Sequence, residues 1–525
     1  MTITPASLAA VNAVSVENQQ FAVSAGVIPQ KNVIVGAYDS AVYTTIVPEV
    51  PQRIFSAEEA GSLYGFGTML HRLARAAFRA GTVETWVVPQ EEVAGDAAQG
   101  SIAHAGGPAT AAGEIAYYIN GERVPVTVAV GDTITDVGDN LVDAIAAREE
   151  LPVVGVNAGG TVTLTSKSTG PWGDDITLDI NIGTGEEIPA GLGAITITAM
   201  GVVTAGTGTP DIQDALDALG TGDAQNEKGF TNLIHGYGIH AATLNAISTY
   251  NGIGNQLVGN YSKLVARPFR SLVGDTVAGA AGLAAVLASA DSRRELDRTS
   301  GVISVPGSLS HPQEIAAEAV GVMAVTASIR AEETYIDKVL AGVHPGDMAD
   351  RWTNDYDNRD QAVRGGVSTT LVKNGIVFCQ NLITFYRPAA VAPESNGYRA
   401  MRNISIIQNL LYNYRMNFER DKWKGVTIVA DAAAVSNVTS RAKARDVSSV
   451  LDDLVALAEA FAANAWIYTD EYTKTELKKG DKVTLRAGLT GFDMEFPVIL
   501  SGEGGIYNSL ITFDTSIAIL LTGGV

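Results

Sequence analysis

The stretch HGYGIH sets His235 and His240 five residues apart, and an imidazole pair is the residue type best suited to holding a metal ion or moving a proton. A metal centre needs a third ligand at a workable spacing, and no Cys, His, Asp or Glu nearby supplies one. Two histidines framing a glycine turn therefore read as loop residues. Asp355, Asp357 and Asp360 in NDYDNRDQ imitate the first half of a calcium loop. The glycine required at its sixth position and the acid at its twelfth are replaced by Asp360 and Gly366, which leaves solvated carboxylates. Ser440 and Lys443 fit S-x-x-K without the companion motifs of a serine acyl enzyme. The sequence has no Gly-Lys dipeptide, hence no Walker A loop, and neither H-E-x-x-H nor G-x-S-x-G occurs. Cys379, the single cysteine, lies in GIVFCQNLITF and reads as a small hydrophobe in a buried strand. The expectation is no catalytic residue, no cofactor and no metal.

Residues without chemistry of their own can still place surfaces, and charge is the first guide to which. The 525 residues hold 36 Lys and Arg against 57 Asp and Glu, a formal net charge of −21. Such a chain is a poor match for nucleic acid or for an anionic membrane, both of which demand a basic footprint. Mean hydropathy is +0.13, and the longest uncharged apolar run, 277–290, is too short to span a bilayer. No basic segment precedes an apolar one at the start, so no secretory signal is expected. Cationic side chains gather in two places. Arg72, Arg75 and Arg79 line one side of a helix, and Arg402, Arg415, Arg420, Lys422 and Lys424 crowd a second helix near 399–422. Each group reads either as a solvated face or as an electrostatic contact with an acidic partner.

The elements alternate. NVIVGAY (32–38) reads as a buried strand, and the following SAEEAGSLYGFGTMLHRLARAAFRAG as one helix from the Ser56-x-x-Glu59 capping box to Gly81. ETWVVP is the next strand, which opens an α/β layer. The pattern stops near 94 and resumes near 206. Between them lie an Asn120-Gly121 hairpin, an amphipathic helix starting near Asp132 or Thr133, and the strands GTVTLTSKS and DDITLDINI. That segment carries Arg123, Arg148 and Lys167 against 14 acids, the balance of an exposed inserted domain. After 206 come DIQDALDALG as helix, FTNLIHGY as strand, a helix over 241–255, KLVARPF as strand, and two further helices around the strand GVISVP. The last part reads as two strands in STTLVKNGIVFCQNLITFY, the long helix over 399–422, VTIVA, a helix in VSSVLDDLVALAEAFAANA, and the strands KVTLRAGLT and EFPVILS.

Both ends are unusual. Residues 1–30 lack helical period and include Val14, Val16, Phe21 and Val23 in short alternating pieces. ITFDTSIAIL near the C-terminus puts Ile511, Phe513, Ile517, Ile519 and Leu521 on one face of a strand. An alternating apolar strand at a terminus suits donation to another chain's sheet, where main-chain bonds bind and alternate side chains set register.

Taken in order, SAEEAGSLYGFGTMLHRLARAAF, GERVPVTVAVGDTITDV, AGTGTPDIQDALDALG and DRWTNDYDNRDQAVRGGVSTTLVKNGIVFCQNLITFYRP resemble the Mu-like branch of contractile phage tail sheath proteins. The resemblance implies a non-enzymatic subunit of a virion tail, polymerised as stacked hexameric rings around an inner tube. Its partners would be other copies, the tube protein, and baseplate and tail terminator proteins. It implies a mixed α/β and β multi-domain fold: an arm over 1–30, a middle α/β domain over 31–93 plus 206–360, and a β-rich peripheral domain over 94–205. An inner C-terminal domain over 361–505 would touch the tube, and 506–525 would be the donated strand. On that reading Arg402, Arg415, Arg420, Lys422 and Lys424 face the tube. A shell protein without contraction, or an α/β hydrolase with an unrecognised site, are the competing readings.

Overall fold

The computed structural model describes residues 25–220, 229–252, 269–387 and 396–502. Its centre is a nine-stranded sheet that grows from Lys31–Tyr38, whose residues are buried on both faces from Asn32 onward. Glu84–Glu91 pairs parallel on one side of it, with Gln52–Ile54 antiparallel at that edge. On the other side Asn232–His235, Arg270–Asp275, Ser300–Ser304 and Val367–Lys373 follow in parallel, and Ile376–Asn381 and Val339–Leu340 close the far edge antiparallel. Alternate side chains serve two layers. Ile34, Val87, Ile234, Leu272 and Ile303 pack with the helices Met69–Arg79 and Pro312–Ile329. Val33, Val35, Val88, Leu233, Val273 and Val302 pack with Ile212–Leu219, Ala241–Asn251 and Gly279–Arg293. Gly274 is required where the first of these layers is tightest, because a Cβ there would stand 1.7 Å from the Pro312 carbonyl oxygen.

The segment expected as one helix over 56–81 is two, Ala57–Tyr64 and Met69–Arg79. Gly65 and Gly67 between them hold φ of 96° and 82°, conformations that no helix continues through. Ser56 caps the first as expected, accepting from Glu59 N at 3.1 Å, but the Glu59 carboxylate answers Phe55 N rather than the cap residue.

Residues between the second and third parallel strands in sequence build two antiparallel sheets. One orders Thr196–Thr198, Ala97–Ala103, Thr161–Thr169 and Val153–Ala158; the other, Glu122–Val128, Gly113–Ile119 and Leu178–Ile180. The Asn120-Gly121 turn has φ of 53° and 74°, the two left-handed residues of a type I′ hairpin. Thr133 and Asp136 form a capping box at the head of Ile134–Ala146, whose Val137, Leu141 and Ile145 join one apolar core with Tyr117, Leu164, Leu73 and Ile315. This core runs without interruption from the inserted strands into the α/β layer.

The strands Val367–Lys373 and Ile376–Asn381, grouped by sequence with the C-terminal part, pair into the nine-stranded sheet. Beyond them the chain forms a helical body of Met401–Phe418, Val447–Ala463 and Asp470–Leu477 with the two-stranded sheet Val483–Leu485 and Phe492–Met494. EFPVILS is not a strand. Pro497 has no N–H to give a ladder, and the segment instead sets Phe496, Val498 and Leu500 against Phe461 and Trp466. VTIVA shrinks to Thr427–Ile428 for want of a longer partner than Ala444–Arg445. Of KLVARPF only Phe269 is among the described residues, and the strand there begins at Arg270.

Candidate functional site

Of the three arginines of Met69–Arg79, Arg72 is buried, Arg75 half-buried and Arg79 exposed. Arg72 is 1% exposed, and its Nε and Nη2 each meet a Glu314 carboxylate oxygen at 2.8 Å, a bidentate pair. Its Nη1 reaches Glu122 Oε1 at 2.6 Å and the Glu150 carbonyl at 3.1 Å, and Arg75 shares the same Glu122 oxygen at 2.6 Å. Asn120, on the hairpin turn, donates to Glu314 at 2.7 Å. Arg79 stands 3.9 Å from Glu318 and donates to the Gly342 carbonyl. Burial pushes the Glu314 carboxyl up, but the Arg72 charge and its hydrogen bonds outweigh that and hold it below the usual range. This corrects the expectation for Arg72, which pairs with an acid 242 residues away, a proximity that no local pattern encodes. The network joins the inserted strands to Pro312–Ile329. His311 completes the joint, stacked on Trp172 at 4.3 Å and donating from Nε2 to the Trp172 carbonyl at 2.8 Å.

A cleft of about 300 Å³ opens beside this junction. It lies beyond the carboxyl ends of Lys31–Tyr38 and Asn232–His235, next to the strand from which the chain runs out in both directions, the usual place for ligands in open α/β sheets. Trp172, Asp174, Asp175, Tyr237 and His240 line it. The set contains no serine or cysteine nucleophile, Tyr237 is bonded to Gln90 at 2.9 Å, and His240 Nδ1 to the Thr243 hydroxyl at 2.9 Å. His235 is not a loop residue: it ends the strand and is 1% exposed, where burial, with His240 adding, lowers its pKa to about 4. Among the described residues no group of three His, Cys, Asp or Glu could hold a metal ion.

The other singled-out residues have structural partners. Asp355 caps Tyr356–Arg364 by accepting from Asn358 N at 2.9 Å, and Asp360 pairs with Arg364 at 2.7 Å. Lys443 donates to the Asp421 and Lys424 carbonyls. Cys379 is fully buried in its strand, and burial pushes its thiol up to about 12. In the basic cluster Arg402 must be withdrawn as an outward contact: it is 5% exposed and donates to the Glu332 carbonyl and to Ser501 O and Oγ at 2.9 and 2.8 Å. Arg415 pairs with Glu419 at 2.7 Å, Lys422 with Asp453 at 2.7 Å and Lys424 with Asp421 at 3.2 Å, while Arg420 is exposed. Val14, Val16, Phe21, Val23, Ile511, Phe513, Ile517, Ile519 and Leu521 lie outside the described residues.

A second buried arginine carries no signal in the local sequence pattern. Arg270, fully enclosed, makes four hydrogen bonds, all to neutral oxygens: two to Asn232 Oδ1 at 3.0 and 2.7 Å, one to Gln30 at 2.9 Å and one to the Tyr335 hydroxyl at 2.6 Å. Gln408 extends this seam to the C-terminal body by donating to the Thr231 carbonyl at 2.8 Å. Asn409 and Asn413 on the same helix hold the backbone of Ile28 and Gly26. For the asparagines a signal was available, the four-residue spacing of Asn409, Asn413 and Asn417.

Among the described residues no helix is long and apolar enough to cross a membrane. No family model matches the chain. Among solved structures, the sheath tail protein of Desulfitobacterium hafniense aligns at 11% identity and TM-score 0.43, covering 94% of this chain and 98% of that one. A chain of the anti-feeding prophage baseplate in its contracted state aligns at 11% and 0.40, covering 98% and 100%. The Mu-like prophage FluMu tail sheath protein of Haemophilus influenzae is 29% identical over 370 residues, 69% of this chain and 70% of that protein. Through that alignment the chain is a relative of the Mu-like phage tail sheath proteins.

Proposed function

We propose that the chain is the repeating subunit of a contractile tail sheath in a virion, stacked as hexameric rings around an inner tube and shortening to drive that tube through a host envelope. The alignment with the FluMu sheath protein over 370 residues carries this reading. In it, the nine-stranded sheet with its helices is the middle domain, the strands between Ala97 and Thr198 the peripheral one, and residues from about 396 the inner one against the tube. Neighbouring copies, the tube protein, and baseplate and terminator proteins are its partners.

The joints between copies are the terminal segments, through Val14, Val16, Phe21 and Val23 at one end and Ile511, Phe513, Ile517, Ile519 and Leu521 at the other. An acceptor is at hand in Val483–Leu485 and Phe492–Met494, since a lone two-stranded sheet is marginal in water and gains from added strands. Five seated apolar side chains give on the order of 10 kcal/mol gross, and ordering the strand costs about 1–2 kcal/mol per residue. One arm is thus roughly balanced, and stability comes from many contacts per subunit in the array. Arg415, Arg420, Lys422 and Lys424 remain the side chains offered to an acidic tube.

Negative-stain electron microscopy of the purified protein tests the reading: hollow striated tubes are expected, and uniform small particles at high concentration would overturn it. Removing residues 506–525 should leave a folded chain that no longer forms tubes. Reversing charge at Arg415 and Arg420 should weaken co-assembly with an acidic tube protein, with the loss depending on salt.

A further inference from the structure

The four-stranded sheet of the insert runs in the order Thr196–Thr198, Ala97–Ala103, Thr161–Thr169 and Val153–Ala158, each strand antiparallel to its neighbour. Both of its edges are uncharged. No charged residue stands between Glu150 and Lys167, or between Glu187 and Asp211. Sheets commonly guard their edges with charges or proline, because a bare edge is a template for another chain. Other edges of this molecule follow that rule. The nine-stranded sheet ends with Arg53 on one side and with Val339–Leu340, preceded by Lys338, on the other. The three-stranded sheet ends with Glu122 and Arg123 on one strand and Asp179 on the other.

Val153–Ala158 is the longer of the two bare edges. Lys167 N donates to the Pro152 carbonyl at 2.9 Å, which sets the hydrogen-bonded pairs of this hairpin at the even-numbered residues of the edge strand. The N–H and C=O groups of Val153, Gly155 and Asn157 therefore point away from Thr161–Thr169, and among the described residues no strand pairs with them. Val154 and Val156 stand 49% and 66% exposed on the outer face, where Thr163 and Thr165 are their cross-strand neighbours.

Strand direction and charge together say what fits this edge. Three antiparallel steps make the two edge strands run opposite ways. A second copy in the same orientation, displaced along the sheet, thus brings its Thr196–Thr198 antiparallel to Val153–Ala158, with the same face outward. Copies of a chain with net charge −21 repel one another, and a contact between them costs least where no carboxylate points. We propose that the inserts of two copies join head to tail, Val153–Ala158 of one against Thr196–Thr198 of the next, so that the sheet continues from copy to copy. A contact of this kind uses two different patches and repeats into a ring or a filament. Thr196–Thr198 offers only three residues, so each contact is weak alone and gains when copies are already held close. On the sheath reading the second copy is the adjacent subunit, and that consequence alone rests on the reading.

Residue-resolved hydrogen exchange on the full chain, first dilute and unassembled and then concentrated, tests it. The amides of Val154 and Val156, bonded within the hairpin, should be slow in both samples. Those of Val153, Gly155 and Asn157 should exchange fast when dilute and at least about tenfold slower when concentrated. Two double variants identify the partner strand. Val156→Lys with Thr198→Lys sets like charges across a head-to-tail contact and should abolish the slowing, whereas Val156→Lys with Thr198→Glu should keep it. Equal rates at the three amides in the dilute and concentrated wild type overturn the proposal. So do equal rates in the two double variants, the result that pairing of Val153–Ala158 with its own twin would give. The wild-type comparison decides even where a variant fails to fold, and tube formation, read by microscopy, can succeed or fail independently.

Discussion

Arg270–Asp275 is one strand with a different kind of junction at each end. At its amino end Arg270 is buried among neutral oxygens, where the sheet meets the C-terminal body. Beyond its carboxyl end, where the inserted strands dock, the buried arginine is Arg72 and its partners are Glu314 and Glu122. Each arginine makes four hydrogen bonds, so the difference is one of charge compensation. An arginine clamped by two carboxylates leaves strong uncompensated charges if it is removed. One held by amides and a phenol leaves only neutral groups short of a partner. The insert is thus locked on by ions, and the C-terminal body is joined by amides.

The largest effect expected from this contrast is on Arg72→Met. It should destabilise the chain by about 3–5 kcal/mol, because Glu314 stays buried with its charge unpaired. Urea denaturation at pH 7 measures it, and Glu314→Gln added to Arg72→Met should recover part of the loss, since the stranded charge is what costs. Arg270→Met should cost less, about 1–3 kcal/mol, since its removal strands only neutral groups such as Asn232 Oδ1 while also removing a buried cation. Equal losses for the two variants would break the comparison.

The elements were largely legible in the sequence, because caps, alternation and the Asn-Gly turn act over a few residues. Thr133 heads its helix where the pattern placed it, and 32–38 lies inside the strand Lys31–Tyr38. The failures are where distant residues decide. Gly65 and Gly67 could have been read as a break, but an arginine stripe looks the same whether it meets water or Glu314. The sheet order, which draws Val367–Lys373 away from the C-terminal part, depends on pairing with Ser300–Ser304 across 60 or more residues of chain. EFPVILS alternates as a strand does, but Pro497 breaks the ladder and only Leu500 bridges a neighbour, Ile467.

Acid should sharpen the contrast, since titrating groups sit at the carboxyl end. Burial, with the Asp175 charge adding and the Ser304 hydroxyl and Val277 N–H opposing, raises the Asp275 carboxyl to about 6. A raised folded value means that the folded state holds the proton more tightly. Its contribution is complete below the ordinary aspartate range and is lost as pH rises through about 6. Asp275→Asn should therefore raise stability at pH 7.5, by on the order of 1–2 kcal/mol, and lose that advantage by pH 4. Glu314 works in the opposite sense: held below its usual range, it supports the fold above that range and ceases to as pH falls through its folded value. Thermal melts of both proteins from pH 4 to 8 separate the two, and a gain for Asp275→Asn that persisted at pH 4 would show that packing, not charge, is responsible.

The smallest effect belongs to an ion pair outside both junctions. Arg415 and Glu419 are four residues apart at the end of Met401–Phe418, 2.7 Å between them, with the glutamate side chain 54% exposed. Water screens the pair, and an arginine placed before the glutamate is the weaker order on a helix. Glu419 also sits at the C-terminal end, where the helix dipole disfavours a negative charge. These terms nearly cancel, so Glu419→Gln should change stability by less than about 0.5 kcal/mol in either direction. The same urea titration used for Arg72→Met measures it, with half-molar salt shifting wild type and variant alike. A loss as large as that of Arg270→Met would mean that burial does not grade these contacts, and the ranking of ionic junction, amide junction and surface pair would fall with it.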